Sequence, residues 1–504
     1  LLVLLCALYI VPGLVGRDPW RHDDAAGFGI AYSFAGLASG PVPGSVGWQV
    51  PHVFGLPVVD VGPAPFWLAA AAIRLLDPVL APDTAVRATA MAWLGLMLVW
   101  TWYATYLLAR RPEAQPDDPF GAGASRIDFA RAIADSAVLV LLATFGLLAR
   151  VHETTVMSAQ AAWVALLLYG CAVALERPAR GATLAGLAIG LTTLSQGIPL
   201  AAAMSAAVLS LSMFVHPYRL VRRPFVLRLL VIALLSSAAW PLWLTLSAPS
   251  AQDHLHAWLE WNASMVRGPT TAVLANYGRD VAWFFWPAWP IAVWAVWRWR
   301  TRLLDPALAL PGFLVAAMTL VALVALADHE AHMLPLTVPL AVLAAMGLPT
   351  IRRGIVSLID WFAVMTFSLI GLVLWAYWIA FLTGWPPRMA YRISRSAAGF
   401  EPSLDLMTLA LGVAATLAWL ALVAWRVSRQ PRMIWRSMAL SSGGMVLAWF
   451  LLSTLWLPAV NHRKTYRDVA LAAAERIDPG HRCVVLERFD LAQRAVFAYA
   501  GQLR

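Results

Sequence analysis

Runs of about twenty apolar residues recur along this chain, and they restrict its fold more than any other feature of the sequence. Residues 225–246, 308–327 and 406–427 are each long enough to cross the roughly 30 Å hydrocarbon layer of a bilayer as a helix. The composition agrees, because 61% of the residues are hydrophobic and 13% are charged, against about 45–50% apolar and about 25% charged in soluble domains. The sequence therefore predicts a polytopic membrane protein.

The apolar segments and the breaks between them predict an all-α fold with about thirteen transmembrane helices. The first apolar segment begins at Leu1, so we interpret it as a span whose start is trimmed, and we also expect the chain to continue beyond Arg504. The predicted spans are residues 1–15, 84–109, 130–149, 154–175, 182–195, 198–215, 225–247, 281–297, 307–327, 333–349, 357–382, 405–426 and 438–458.

The net charge of +10 comes almost entirely from arginines, and their positions predict the topology. With a cytoplasmic N-terminus, six arginine-bearing loops face the cytoplasm, as the positive-inside rule requires. An odd number of spans then places the C-terminus outside. We interpret the charge as a signal of topology and expect no nucleic-acid partner. The six loops lie at residues 110–131, 177–180, 219–228, 298–302, 352–353 and 426–436.

This topology divides the chain into a membrane domain, residues 1–460, and the start of a small extracytoplasmic α/β domain, residues 461–504. In the second domain the sequence predicts a helix, a Pro-Gly turn, a strand at 483–486 and another helix. The first outer loop, residues 16–83, is long and rich in proline and glycine. Its partly apolar stretch, residues 25–37, could lie along the membrane surface as a helix.

Two adjacent carboxylates, Asp23 and Asp24, stand near the start of this outer loop beside Arg21. Transfer of a sugar to a hydroxyl needs a base for the acceptor proton, and a carboxylate can be that base. Arginine can hold a departing phosphate through paired hydrogen bonds. The alternative is that these charges are only the solvated end of a loop.

Residues 20–24 (Trp-Arg-His-Asp-Asp) resemble the first outer loop of the GT-C superfamily of membrane glycosyltransferases, especially its aminoarabinose transferase and protein O-mannosyltransferase group. That group has an Asp-Glu pair after a tryptophan, so the resemblance implies that Asp23 is the catalytic carboxylate and that Asp24 replaces the glutamate. Residues 60–68, which begin with Asp60, are similar to a Lys-Pro-Pro segment before Trp-Leu, with Gly62 at the lysine position.

Three later segments resemble elements of the same group. Residues 186–197 resemble a Gly-Leu-rich span in which Gln196 replaces a cation, and residues 456–467 resemble the junction between the last span and the outer domain. Residues 328–335 resemble an Arg-x-x-Tyr-x-Leu-Pro element, with His329 and His332 at the Arg and Tyr positions. The resemblance implies a substrate-binding role for Asp60, Gln196 and His332.

Because these replacements remove cations, we hypothesise that Arg21, Arg267 and Arg279 bind the donor phosphate together with His329. The rival explanations are a different donor or lost activity. Glu153, after the third span, is a candidate second carboxylate for catalysis, and the alternative is an acidic residue that stabilises a helix N-terminus.

The sequence requires no cofactor, but a divalent metal is an alternative. Histidines and acidic residues at 253–256 and 329–332 could bind zinc or manganese, although a His-x-x-His spacing is common by chance. Trp258 and Trp261 could stack on a sugar ring, and the alternative is that they anchor the chain at the membrane interface.

The resemblance implies transfer of a sugar from a polyprenyl phosphate, with inversion at the anomeric carbon. The acceptor would be lipid A, another envelope glycolipid or a protein, at the periplasmic side of a bacterial inner membrane, and we expect a monomer. A transporter or lipid flippase is the competing class, and a structural or assembly subunit whose charges are all solvated is a third. Transporters often carry charged or broken helices near the membrane midplane, whereas the predicted spans here hold few ionisable residues.

Overall fold

The computed structural model describes residues 1–37, 47–115, 125–266, 268, 270–325, 333–428, 436–477 and 484–502. In these residues the only strands, β1 (His52–Val53) and β2 (Leu56–Pro57), form one antiparallel hairpin. The helices are α1 Leu2–Ile10, α2 Asp23–Phe34, α3 Ala64–Leu76, α4 Pro82–Ala109, α5 Arg126–Ala143, α6 Phe145–Arg150, α7 Val156–Ala174, α8 Pro178–Ser195, α9 Ile198–Phe214, α10 His216–Leu220, α11 Arg222–Thr245, α12 Pro249–Ser264, α13 Thr271–Phe284, α14 Ala288–Arg298, α15 Pro306–Ala325, α16 Thr337–Gly347, α17 Arg353–Thr383, α18 Pro387–Ser396, α19 Leu406–Ser428, α20 Arg436–Thr454, α21 Leu457–Lys464, α22 Arg467–Ala474 and α23 Leu491–Ala500.

A membrane interior explains the helical content, because a helix satisfies its own backbone polar groups where no water is present. Among the described helices, α4, α7, α11, α15, α17 and α19 are long and apolar enough to cross a membrane. A seventh crossing results if α20 and α21, which bend by 68°, form one broken span. Every predicted span contains helix, but the other helices are shorter or less apolar. The multi-pass class is confirmed, and the number thirteen stays a prediction.

Small residues allow the central helices to pack closely. α7 is the inner helix, since 94% of the residues in its most apolar stretch are buried, against 11% for α19. α7 packs between α4 and α8, and α8 packs against α11. A Cβ atom added to Gly181 would lie 2.4 Å from Ala174 N, so only glycine permits this approach of α8 to α7.

Several of the loops contact one another in two separate groups. In the arginine-rich group, Arg110 pairs with Glu176, and Arg298 and Glu113 line the same cavity. In the other group, Arg21 and Glu153 share a cavity with the end of α21. At these contacts, residues of the predicted cytoplasmic loops 110–131 and 298–302 do not meet residues of the predicted outer loops. The sidedness of the loops stays a prediction.

α2, which covers most of residues 25–37, is a helix that packs against other parts of the chain, and its position along the membrane surface stays a prediction. Most of its side chains are buried. A Cβ atom on Gly27 would lie 2.0 Å from Thr154 O, and one on Gly29 would lie 2.5 Å from Ala495 Cβ. α2 is thus held between the loop before α7 and the C-terminal helix α23.

The C-terminal segment contributes helices and no described strand. α22 and α23 form a small apolar cluster with the start of α2 around Ala25 and Ala470. The predicted strand at 483–486 is not formed in residues 484–486, and residue 483 lies outside the described residues. A separate α/β domain at 461–504 therefore stays a prediction, and the described part packs on the membrane domain.

Candidate active site

Hydrogen bonds fix the loop after α1 onto the end of the last apolar helix pair. The backbone N–H of Arg21 donates to Lys464 O at 2.7 Å. Asn461 accepts from Trp20 Nε1 at 2.9 Å through Oδ1 and donates to Gly16 O at 2.7 Å through Nδ2. These bonds hold the Trp20–Asp24 turn against α21, although the two segments lie at opposite ends of the chain.

Asp24 is a buried anchor within this loop. Its Oδ2 accepts from Arg17 Nη2 at 2.7 Å and from the Trp20 backbone N–H at 3.0 Å, and its Oδ1 accepts from the Thr154 backbone N–H at 2.6 Å. Arg17 also donates to His152 O at 2.5 Å and is only 1% exposed. Because both carboxylate oxygens are engaged inside the protein, Asp24 is poorly placed to accept a proton from an incoming acceptor.

Asp23, by contrast, is exposed at the first position of α2. The preceding residue, His22, has a φ of 71°, a conformation that costs free energy for a residue with a side chain. This turn starts the helix so that the carboxylate of Asp23 faces outward and the next one, that of Asp24, points into the protein.

A first cavity of about 520 Å³ lies between this loop, the loop before α7 and the end of α21. Asp23 lines it together with four cationic side chains and two tryptophan rings, Trp20 and Trp456. The Nζ atom of Lys464 lies 4.5 Å from the centre of the Trp20 ring, whose other neighbour is the Arg17 guanidinium at 3.9 Å. The cationic side chains that line the cavity are Arg21, Arg150, Arg463 and Lys464.

This lining supports part of the predicted set of phosphate-binding cations. Arg21 lies in it as expected, whereas Arg279 lines neither this cavity nor the next and pairs with Asp280 at 3.0 Å, with 70% of its side chain exposed. Arg267 and His329 lie outside the described residues. Sequence reasoning missed Arg150, Arg463 and Lys464. The available signal was that Arg150 is close in sequence to Glu153 and that the other two follow the last predicted span.

A second cavity of about 340 Å³ adjoins the first. It brings together Asp60 and Gln196, both predicted to bind substrate, and adds the ring of Trp261. The third predicted substrate residue, His332, lies outside the described residues. The remaining lining is mostly apolar, so this cavity offers a few polar groups and an aromatic face, which suits a sugar or a lipid-linked acceptor.

Close packing explains why glycine stands at position 62, where the resembling group has lysine. The N–H of Gly62 donates to Ser195 O at 2.9 Å, and a Cβ atom added to it would lie 2.1 Å from Leu194 O. No side chain fits at this position. A cation that serves in place of this lysine must therefore come from another segment. Four cationic side chains line the first cavity.

Three residues, Asp23, Arg150 and Glu153, line both cavities and mark their junction. Arg150 Nη1 lies 3.4 Å from Glu153 Oε2. Burial raises the pKa of Glu153, and the nearby charge of Asp24 raises it further against the opposing effect of Arg150. Of the predicted acidic residues, Asp23 and Glu153 line both cavities here. Asp24 is buried and holds the loop in place through its hydrogen bonds.

We expect replacement of Glu153 by glutamine to change how stability depends on pH. A carboxyl group whose folded pKa is raised above its ordinary value of 4.5 loses its stabilising contribution as the pH rises through the folded pKa. Glutamine cannot ionise, so the stability of Glu153→Gln relative to wild type should increase from pH 4.5 towards neutrality. Thermal unfolding in detergent measures this. Glu260→Gln, on an exposed position of α12, is the control, and an equal trend in it would contradict the assignment.

The described residues contain no group of three or more His, Cys, Asp or Glu side chains placed to hold a metal ion. His254, part of one candidate set, is buried and packs against Trp240 at 6.0 Å between ring centres. Burial lowers the pKa of His254 to about 4, so it stays neutral. The other candidate set, residues 329–332, lies outside the described residues.

No protein-family model matches this chain, and no curated protein matches its sequence. Solved structures do match its fold. The crystal structure of ArnT from Cupriavidus metallidurans bound to undecaprenyl phosphate superimposes with a TM-score of 0.69 at 15% identity, over 99% of this chain and 84% of ArnT. The arabinosyltransferase EmbB from Mycobacterium smegmatis gives a TM-score of 0.50 at 16% identity, over 94% of this chain and 42% of EmbB. The Archaeoglobus fulgidus oligosaccharyltransferase gives 0.50 at 12% identity, over 100% of this chain and 63% of that protein. The chain therefore has the GT-C fold, as the sequence resemblance predicts.

Proposed function

We propose that this protein is a glycosyltransferase that moves a sugar from a polyprenyl phosphate to a lipid or protein acceptor of the cell envelope. The observation that carries the proposal is an exposed carboxylate, Asp23, at the junction of a cationic cavity and a second, largely apolar cavity. We place the reaction at the periplasmic face of a bacterial inner membrane, where the arginine pattern puts this end of the bundle.

The first cavity would receive the phosphate of the donor. Four cations line it, and the ring of Trp20 has two cationic groups within 4.5 Å of its centre. Guanidinium groups bind phosphate oxygens through paired N–H donors, and lysine adds a point charge. ArnT, which shares the fold, has been solved with undecaprenyl phosphate bound, which supports a donor of this class here.

The reaction would form a bond between the acceptor oxygen and the anomeric carbon and break the bond from that carbon to the phosphate oxygen. Asp23 would accept the proton of the acceptor hydroxyl, and the polyprenyl phosphate would leave with the bonding electron pair. Arg150 and Lys464 would stabilise the charge that develops on the leaving phosphate. Attack from the second cavity, on the side of the sugar away from the phosphate, would invert the anomeric carbon.

The second cavity would hold the acceptor. Asp60 and Gln196 could hydrogen-bond to acceptor hydroxyls, and Trp261 could stack on a ring. Its apolar walls, which include Phe66 and Met157, suit an acceptor that carries a lipid or another apolar group. Asp24 and Arg17 act in this scheme as positioning residues, because they hold α2 and the loop that carries Asp23.

Reconstituted vesicles test this proposal against the transporter and flippase alternatives. Purified protein, a labelled polyprenyl-phosphate sugar and an extract of envelope lipids should yield a labelled acceptor together with free polyprenyl phosphate. A transporter or flippase would move the labelled donor between leaflets and leave its glycosidic bond intact. Movement of intact donor without release of polyprenyl phosphate would contradict the proposal.

We expect Lys464→Ala to raise the KM for the donor about tenfold, because a hydrogen bond to a charged group contributes about 1.5–3 kcal/mol and this side chain is partly exposed to water. Arg463→Ala should act in the same direction. Initial rates at varied donor concentration give the constant. Arg279→Ala is the matched control, because Arg279 is a cation of the same outer loops that lines neither cavity. A normal donor KM in both Lys464→Ala and Arg463→Ala would contradict the proposal that the first cavity binds the donor phosphate.

A further inference from the structure

A third polar cavity lies among the arginine-rich loops, away from Asp23, and the proposed transfer reaction does not use it. Its volume is about 570 Å³. It lies between the start of α5, the loop that joins α14 to α15, and the turn after α16. All of these segments belong to the loops that the arginine pattern assigns to the cytoplasmic side.

One part of this cavity is cationic. The guanidinium groups of Arg298 and Arg302 lie 5.6 Å and 5.8 Å from the centre of the Trp299 ring, within the range of cation–π attraction. Arg302 Nε lies 3.6 Å from Asp305 Oδ2, which is an ion pair but too long for a hydrogen bond. Two guanidinium groups held on one aromatic ring suit a phosphate or phosphodiester.

Carboxylates stand close to these arginines. Glu113 pairs with Arg111 at 3.0 Å through Oε1, but its Oε2 is buried and accepts no hydrogen bond from any described residue. Burial raises the pKa of Asp305, Arg302 opposes this, and the charge of Glu113 raises it again. The charge of Glu113 therefore reaches Asp305, and a cation bound near both carboxylates would offset this repulsion.

Most of the remaining lining is apolar, and it adjoins the start of an apolar helix. Leu308 belongs to the first turn of α15, a helix long enough to cross a membrane, and Phe129, Ile133 and Met346 complete the apolar wall. Tryptophan such as Trp299 favours the level of lipid headgroups. A ligand here would meet charged groups at one side and hydrocarbon at the other, as a phospholipid does.

We propose that the third cavity binds the headgroup of a zwitterionic phospholipid whose cation is a primary ammonium. Arg298 and Arg302 bind the phosphodiester, and Glu113 and Asp305 accept hydrogen bonds from the ammonium. The apolar wall contacts the first carbons of the acyl chains. Binding involves no covalent change, and it is independent of the transfer reaction at Asp23.

Native mass spectrometry of delipidated full-length protein, titrated with phosphatidylethanolamine, tests the site. We expect the double variant Arg298→Ala/Arg302→Ala to bind the lipid at least about tenfold more weakly than wild type. Arg300→Ala is the matched control, because Arg300 lies in the same loop, contacts Trp297 and does not line the cavity. Equal affinity of the double variant and wild type overturns the site.

Lipids with other headgroups, and a soluble headgroup without acyl chains, test the identity of the ligand. Phosphatidylglycerol lacks the ammonium and phosphatidylcholine lacks its N–H donors, so both should bind more weakly than phosphatidylethanolamine. Glu113→Gln should reduce this preference. Equal binding of phosphatidylglycerol by wild type overturns the zwitterionic assignment. Displacement of the lipid by soluble phosphoethanolamine at similar concentration overturns the assignment to a lipid.

Discussion

Replacement of Asp23 by asparagine is expected to lower sugar transfer by about 10²- to 10⁴-fold, the range that general-base catalysis contributes. Asparagine keeps the shape of the side chain and its place at the start of α2, but it cannot accept the acceptor proton. Because Asp23 is exposed and makes no described ion pair, the variant should fold and insert normally. The lost attraction to the helix N-terminus should cost at most about 1 kcal/mol. The measurement is release of polyprenyl phosphate by proteoliposomes.

The matched control for Asp23→Asn is Asp253→Asn, an exposed aspartate on α12 that lines none of the three cavities. Its transfer rate should equal that of wild type. The thermal midpoints of both variants should also stay close to the wild-type value, which separates a loss of chemistry from a loss of folding. An Asp23→Asn protein with full transfer activity would exclude Asp23 as the base.

Asp24→Ala is expected to produce the largest loss of stability, about 3–5 kcal/mol. The substitution leaves the Arg17 guanidinium, which is 1% exposed, without its carboxylate partner. It also frees the N–H of Thr154, which lies in the loop before α7. Unfolding by denaturant in detergent gives the free energy. Transfer should fall as well, because α2 would no longer be fixed beside Arg150 and Glu153.

Two comparisons sharpen the Asp24 prediction. Arg467→Ala removes an ion pair of the same loop, Asp18 with Arg467 at 2.9 Å, but Arg467 is 56% exposed, so the loss should be about 1 kcal/mol or less. Arg17→Met combined with Asp24→Leu removes both buried charges and should be less destabilised than Asp24→Ala. If Asp24→Ala and Arg467→Ala were equally mild, the buried pair would not anchor the loop.

The sequence was enough to predict the class of fold. Whether a segment is long and apolar enough to cross a bilayer depends only on its own residues and not on its neighbours in space. The number of crossings is harder to predict. Residues 281–297, one predicted span, are divided between α13 and α14 at residues 285–287. Whether two short helices act as one crossing depends on their packing, which hydropathy does not report.

The two roles of the acidic pair could not be separated by sequence. Asp23 and Asp24 are neighbours of the same type, but consecutive positions on a helix differ by about 100° in direction, so one faces out and the other is buried. Which of them is buried depends on the contacts of Asp24 with Arg17 and Thr154. Thr154 lies 130 positions from Asp24 in the sequence. The resemblance assigned the catalytic role to Asp23, and the exposure of that side chain supports it.

Three of the four cations of the first cavity, Arg150, Arg463 and Lys464, could not be selected from the sequence either. Charged residues at loop ends look alike in sequence, and most are simply solvated. Trp20 and Asn461 are 441 positions apart, yet their hydrogen bond is one of those that bring Lys464 beside Asp23. Arg279 shows the converse, since an equally plausible arginine of the outer loops remains outside both cavities.

The proposed reaction depends on which side of the membrane bears Asp23, and cysteine labelling of intact cells measures this directly. In a protein without its native cysteines, Ser394→Cys reports the end that carries the first cavity, and Thr301→Cys reports the third cavity. We predict that a membrane-impermeant maleimide labels position 394 in intact cells and position 301 only after permeabilisation. Labelling of position 301 alone in intact cells would place Asp23 in the cytosol and contradict the account.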